Sequence, residues 1–194
     1  MALKYSEQKV ILRSVELRNL PQEVLAVSPH QTVPSLVITE NKYMDESWDI
    51  VKWAIQKNDP QNWLGENNKY LQAAEMLVET NDFSFKQDLD HYKYAERHPE
   101  HSTEYYRLRC EAFIDELNET LEENDFLVAP FITTADIAIF PFIRQFSMVD
   151  KVWFGQSPYW ALQRWLATML DTHWFNEAFK KHDTWQPGSE NIYV

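Results

Sequence analysis

The feature that most constrains this chain is a Val33-Pro34 pair set between a polar loop and a run rich in β-branched residues. An X-Pro bond has only a small penalty for the cis form, and a cis bond makes a sharp entry into a strand. We therefore predict a cis bond at Val33-Pro34 and a strand over residues 35–39. Such a bend exposes the backbone N–H and C=O of Val33 at a sheet margin, where they can hydrogen-bond a short extended peptide.

A matching element follows at Asp45-Glu46-Ser47. The pattern predicts a hairpin strand over residues 42–44 and then an amphipathic helix over residues 47–57. The first-turn amides and the dipole of that helix favour a carboxylate, and the Ser47 hydroxyl adds a donor. Glu46 can pair with an ammonium group. Together these groups suit an amino-acid headgroup joined to a short peptide.

The two motifs, Ser-Pro-x-x-Thr-Val-Pro-x-Leu from residue 28 and Asp-Glu-Ser from residue 45, resemble the glutathione-binding half of glutathione transferases. The resemblance extends over essentially the whole chain. It implies a thioredoxin-like α/β domain followed by an all-α helical-bundle domain, and a homodimer. It also implies glutathione as substrate and a small apolar electrophile as its acceptor. The glutathione-binding residues that it implies are His30, Val33, Pro34, Glu46 and Ser47.

The chain departs from this family at its start. In full-length relatives the Ser, Tyr or Cys that activates the glutathione thiol lies where the first strand meets the first helix, whereas residues 1–5 resemble the back half of that helix. We therefore expect the first strand and half of the first helix to be absent, and we assign no catalytic residue. A full-length form would transfer the glutathione thiol to an electrophile or reduce a mixed disulfide. The alternative is a non-catalytic scaffold or a dimerising protein.

The length of 194 residues suits two small domains. Asn58-Asp59-Pro60 ends the helix over residues 47–57 and has the composition of a linker. We therefore predict a partial, truncated thioredoxin-like domain over residues 1–57 and an all-helical domain over residues 58–194.

The charge balance excludes some partners. The net charge of −12 argues against nucleic acid and anionic membrane surfaces, which reward clustered Lys and Arg. Residues 1–57 hold seven basic and seven acidic side chains, so the whole acidic excess lies in the remainder of the chain. No segment has the length of apolar sequence that a membrane span needs. The single Cys110 excludes a disulfide framework, and the first residues do not resemble a signal peptide. We therefore predict a cytoplasmic protein.

Several chemical motifs are missing from the sequence. With three glycines in total, the chain has no phosphate-binding loop, dinucleotide fingerprint or nucleophile elbow. His98 and His101 flank Pro99 without further ligands at metal-binding spacing, so we predict a solvated loop there and no metal site.

The helical half shows two apolar stripes, of which the longer one includes Cys110. We interpret Cys110 as a small buried hydrophobe, not a reactive thiol. Thr133 and Asp136 have the spacing of a capping box, which predicts a helix over residues 133–149 and a folding role for Asp136. Aromatic side chains are abundant in this half, and some can line an apolar substrate pocket; Tyr105, Tyr106 and Trp165 are the residues we consider for it.

Overall fold

The computed structural model describes residues 1–26, 32–39 and 41–194. The chain divides into two compact units: a mixed unit of Met1–Gln61 with His173–Val194, and a helical unit of Asn62–Thr172. The predicted class, an α/β N-terminal part followed by a helical domain, is confirmed. The predicted boundary after residue 57 stays a prediction.

The mixed unit contains both short sheets. Its strands and helices are α1 (Ala2–Tyr5), β1 (Ile11–Leu12), α2 (Gln22–Leu25), β2 (Leu36–Thr39), β3 (Lys42–Met44) and α3 (Ser47–Lys57), and later α10 (His173–Ala178) and β4 (Ile192–Tyr193). β2 and β3 form the predicted antiparallel hairpin, with Leu36 opposite Met44. β1 pairs antiparallel with β4. The alternating pattern of residues 10–17 favours a longer strand, but β1 contains only two residues.

The core of the mixed unit lies under α3, which contacts α1. Ile50, Ala54 and Ile55 on α3 are buried, as their helical spacing requires. Tyr5 at the end of α1 is also buried and packs edge-on against Trp174 of α10. Its hydroxyl donates to Asp59 Oδ1 and accepts from the Gln61 amide at 2.8 Å. One side chain therefore joins α1, α10 and the segment after α3.

The helical unit is built around α6, whose N-terminus is capped by Ser102 accepting from the Tyr105 amide at 3.1 Å. α6 packs against α5 and α9, and α4 packs against α7. All six members of its predicted apolar stripe are buried: Tyr106, Cys110, Phe113, Ile114, Leu117 and Leu121. The α-helices of this unit are α4 (Leu71–Thr80), α5 (Lys86–Lys93), α6 (Thr103–Glu123), α7 (Thr134–Val149), α8 (Lys151–Gln156) and α9 (Trp160–Leu170). A π turn over Asn81–Phe85 joins α4 to α5, and 3₁₀ turns lie at Glu66–Asn68 and Ala95–Arg97.

The predicted capping box at the start of α7 is confirmed. Asp136 is fully buried, and its Oδ2 accepts from the Thr133 amide at 2.8 Å and the Thr133 hydroxyl at 2.9 Å. Its Oδ1 accepts from the Leu127 amide at 3.1 Å and the Trp165 indole N–H at 2.9 Å. Burial raises the pKa of the Asp136 carboxyl, against the opposing effect of these hydrogen bonds. The carboxylate therefore ties three segments of the helical unit together.

Across the described ranges, none of the helices is long and apolar enough to cross a membrane.

Candidate functional site

The bend before β2 has the geometry that its sequence predicts. The Val33-Pro34 peptide bond is cis, so that prediction is confirmed. Val33 is 40% exposed, and Pro34 is exposed beside it. The Ser35 hydroxyl donates to the Thr32 carbonyl at 2.8 Å and bridges the turn. The backbone of Val33 therefore lies at an accessible margin of the hairpin.

The register of the hairpin brings two of the predicted motifs to one end. Because Leu36 pairs with Met44 in an antiparallel ladder, the residues before β2 and those after β3 leave the hairpin at the same end. Val33 and Pro34 enter there, and Glu46 and Ser47 follow the strand that ends there. We call these four residues the hairpin-end cluster. His30, the fifth predicted site residue, lies outside the described residues.

The start of α3 leaves donors open within this cluster. Glu46 occupies the N-cap position with extended backbone, and its carbonyl accepts from the Ile50 amide at 3.1 Å. Within the described structure, the Glu46 side chain makes no capping hydrogen bond to the first turn. Glu46 and Ser47 are both exposed. Asp49, the acidic residue of the first turn, pairs with Lys52 at 3.2 Å. The first-turn amides can thus donate hydrogen bonds to an anionic group from solution.

The Cys110 thiol is not suited to chemistry. It is fully buried, and desolvation, with the nearby Asp88 and Glu111 carboxylates, raises its pKa to about 12. Thiolate is the nucleophilic form, so this thiol is inert at neutral pH. The interpretation of Cys110 as a buried hydrophobe is confirmed.

Two of the three aromatic residues considered for a substrate pocket are core residues. Trp165 is 1% exposed and donates its indole N–H to Asp136. Tyr106 is 2% exposed, and its hydroxyl donates to the His98 carbonyl at 3.0 Å. Tyr105 is half-exposed and stacks on His101, with ring centroids 4.0 Å apart. The loop that carries His98 and His101 therefore packs on the start of α6.

The helical unit also contains a groove that sequence reasoning missed. It has a volume of about 420 Å³ and lies between the π turn and α6. Arg109 Nε donates to Asp88 Oδ1 at 2.7 Å in its wall, although the two residues are 21 positions apart. No local pattern relates them, so the groove has no signal in the sequence. Its other lining residues include Thr80, Ser84, Phe85, Leu108, Ala112 and Glu116.

Family models match both parts of the chain. The model described as the N-terminal domain of glutathione S-transferase matches residues 1–63. The model described as the C-terminal domain of the same family matches residues 94–172. No curated protein sequence matches the chain significantly.

Solved structures show the same fold at low sequence identity. The chain is similar to the bacterial glutathione S-transferase BphK in a ternary complex, with a TM-score of 0.75 and 18% identity over 91% of this chain and 89% of that one. Glutathione S-transferase-I bound with lactoylglutathione has a TM-score of 0.70 and 15% identity, over 91% and 88% of the two chains. Glutathione S-transferase 1-6 from Anopheles dirus species B has a TM-score of 0.69 and 16% identity, over 86% and 81%.

Proposed function

Because the chain belongs to the glutathione S-transferase family, we propose that it binds glutathione at the hairpin-end cluster. The backbone N–H and C=O of Val33, beside Pro34, pair with the peptide part of the ligand. The first-turn amides of α3 and the Ser47 hydroxyl hold the γ-glutamyl carboxylate. Glu46 pairs with the γ-glutamyl ammonium, and His30 completes the proposed set.

The observation that carries this proposal is the hairpin register. It brings the exposed residue Val33 to the same end as the N-terminus of α3, where the Glu46 side chain makes no capping hydrogen bond among the described residues. A peptide with a charged amino-acid headgroup needs both kinds of contact at once. The balanced charge of residues 1–57 supports an anionic ligand here more than the acidic remainder of the chain does.

The proposed reaction is attack of the glutathione thiolate on a small apolar electrophile such as an aryl chloride, which forms a carbon–sulfur bond and releases chloride. Attack on a mixed disulfide would instead form a new disulfide with glutathione, break the original S–S bond and release a thiolate. Cys110 is inert, and the family resemblance assigns none of Val33, Glu46 or Ser47 to activation of the glutathione thiol. The alternative is a scaffold or dimerising protein that binds glutathione without chemistry. Turnover of an aryl chloride above the solution rate separates the two functions. The single thiol agrees with a reducing compartment, so we propose the cytoplasm as its location.

Glu46→Gln is expected to weaken glutathione binding by roughly ten- to a hundredfold, since a charge-assisted contact contributes about 1.5–3 kcal/mol. Cysteinylglycine, which lacks the γ-glutamyl headgroup, should bind the wild-type chain and the Glu46→Gln variant equally. Isothermal titration calorimetry with both ligands measures this selectivity. Ser47→Ala should also reduce the preference for glutathione over cysteinylglycine.

Glu23→Gln is the matched control, because Glu23 is an exposed glutamate of the same unit on α2. It should leave both affinities unchanged. Equal loss of affinity in the Glu23 and Glu46 variants would indicate a general charge effect. Unchanged glutathione selectivity in both the Glu46 and Ser47 variants would contradict the proposal that these residues bind the γ-glutamyl headgroup.

We further propose that the chain forms a homodimer through the groove of the helical unit. Phe83, in the π turn, is 82% exposed, and Met76 and Leu108 are more than half exposed. By helical spacing, Met76 and Phe83 lie on the face of Thr80, which lines the groove. Exposed large apolar side chains beside a groove favour a protein partner.

The charge pattern of α6 suits a second copy of the same chain. Arg109 and Glu116 lie on either side of the exposed Ala112, about 10 Å apart along the axis. Two α6 helices crossing antiparallel at Ala112 would pair each Arg109 with the Glu116 of the other copy. Such a two-fold contact uses the same patch on both copies, and the small Ala112 permits close approach.

Phe83→Ser is expected to weaken this dimer roughly a hundredfold, because two copies each lose about 1.5 kcal/mol of apolar burial. Light scattering across a concentration series measures the shift to monomer. Val152→Ser is the control, since Val152 is 70% exposed on α8 of the same unit. A wild-type chain that is monomeric at high concentration, or an equal effect of both substitutions, would contradict the proposed interface.

A further inference from the structure

The last residues of the chain return to the first strand. The Val10 amide donates to the Val194 carbonyl at 3.2 Å, and the Val194 amide donates to the Val10 carbonyl at 3.0 Å. This double contact extends the β1–β4 ladder by one residue pair. Further along the same edge, the Trp185 amide donates to the Ser14 carbonyl at 2.7 Å. The terminal segment therefore follows the edge of residues 10–14.

A side-chain contact adds to the backbone hydrogen bonds. The Arg13 guanidinium lies over the Trp185 ring, 4.4 Å from its centroid, which is a cation–π distance. In the described structure, residues 179–191 between α10 and β4 form no helix or strand, and most of them are exposed. Tyr193 is itself 62% exposed. The terminal segment is therefore attached to residues 10–14 by backbone hydrogen bonds and by the Arg13–Trp185 contact. Its side chains bury little apolar surface.

A strand edge held in this way can exchange its partner. A row of backbone N–H and C=O groups pairs with any extended segment that presents the complementary row, so an uncovered edge is a template for another chain. Segments with few buried apolar contacts open with low free energy. The second condition holds for the partner of this edge, which is short, exposed and joined to α10 by irregular chain. Opening of that partner would uncover the edge.

We propose that the edge of residues 10–14 is a strand-accepting site for extended peptides, and that residues 184–194 occupy it as a displaceable strap. The peptide that fits carries an aromatic residue for the Arg13 guanidinium. Seven residues after this aromatic residue, the peptide has a short extended stretch whose backbone pairs with Leu12, Ile11 and Val10. The site is independent of glutathione and uses none of the hairpin-end cluster.

The experiment uses a chain that ends at Asp183 and a fluorescently labelled synthetic peptide with the sequence of residues 184–194. Fluorescence anisotropy should show saturable binding to the shortened chain and at least tenfold weaker binding to the full chain, whose own strap competes. Peptides carrying Val194→Pro, which removes the donor to Val10, or Trp185→Ala should bind the shortened chain at least tenfold more weakly. Equal binding by the full and shortened chains, or by the three peptides, would overturn the proposal.

Hydrogen exchange at the Val10 amide gives a second readout. The amide should exchange slowly in the full chain, rapidly in the shortened chain, and slowly again when the peptide is added. If the shortened chain does not fold, full-length Val194→Pro provides the test instead. Its Val10 amide should exchange faster and it should bind the added peptide; an unchanged exchange rate would show that the strap does not depend on this pairing.

Discussion

Asp136→Ala is expected to lower the free energy of unfolding of the helical unit by about 5 kcal/mol. The substitution leaves three buried N–H donors, from Leu127, Thr133 and Trp165, without their acceptor. Each unsatisfied buried donor costs about 1–3 kcal/mol, which places this change among the largest for a single substitution. Urea unfolding followed by near-ultraviolet circular dichroism measures the loss. An ordinary helix cap would contribute only about 1 kcal/mol.

Thr134→Val is the matched control for Asp136→Ala. Thr134 is fully buried next to the capping box, and within the described structure its hydroxyl oxygen has no hydrogen-bond partner. Replacing that hydroxyl by a methyl group of similar size should be neutral or slightly stabilising. Asp136→Asn, which keeps one acceptor oxygen, should fall between the two. A loss of about 1 kcal/mol for Asp136→Ala would mean that the contacts to Leu127 and Trp165 contribute nothing.

Tyr5→Ala is expected to destabilise the mixed unit by about 3 kcal/mol or more. The side chain is 3% exposed, and its removal leaves a cavity between α1, α10 and the segment after α3. Losses of about 3–5 kcal/mol are usual when a buried aromatic ring is truncated to alanine. Thermal unfolding, together with hydrogen exchange of the α3 amides, measures the effect.

Tyr5→Phe separates the hydroxyl from the ring. It should cost only about 1 kcal/mol, because Asp59 and the Gln61 amide lose one partner but the ring packing stays. Equal losses for Tyr5→Phe and Tyr5→Ala would show that the hydrogen bonds, not the packing of the ring, hold α1 in place.

Features with local causes were predicted well from the sequence. The bounds of α3 at residues 47–57, the β2–β3 hairpin, the cis bond before Pro34 and the capping box of Asp136 each depend on residues a few positions apart. The α6 stripe is equally local, because its spacing alone decides which face is buried. The position of Val33, Pro34, Glu46 and Ser47 at one end of the hairpin is also local, because it follows from a short antiparallel ladder.

The Ser157-Pro158 pair is typical of a helix cap and first helical residue, so the sequence favours a start of α9 at residue 158. The helix begins at Trp160, because Ser157 ends the preceding helix instead: its hydroxyl and amide both donate to the Phe154 carbonyl. The same Ser-Pro pair is compatible with either role. The side chain of Gln163 donates to the Phe154 and Ser157 carbonyls, which favours Ser157 as the end of α8.

The sequence by itself determined the family, the helical periods and the chemistry of the turns, because each depends on residues that are close together in the chain. Only the tertiary structure decided that Val194 pairs with Val10 and that Arg109 donates a hydrogen bond to Asp88. It also decided that Asp136 accepts hydrogen bonds from Leu127 and Trp165. These partners lie 9 to 184 positions apart. Backbone groups of any residue type can form the Val10–Val194 pair, so its side chains carry no signal for it. Chain folding alone brings such groups within hydrogen-bonding distance.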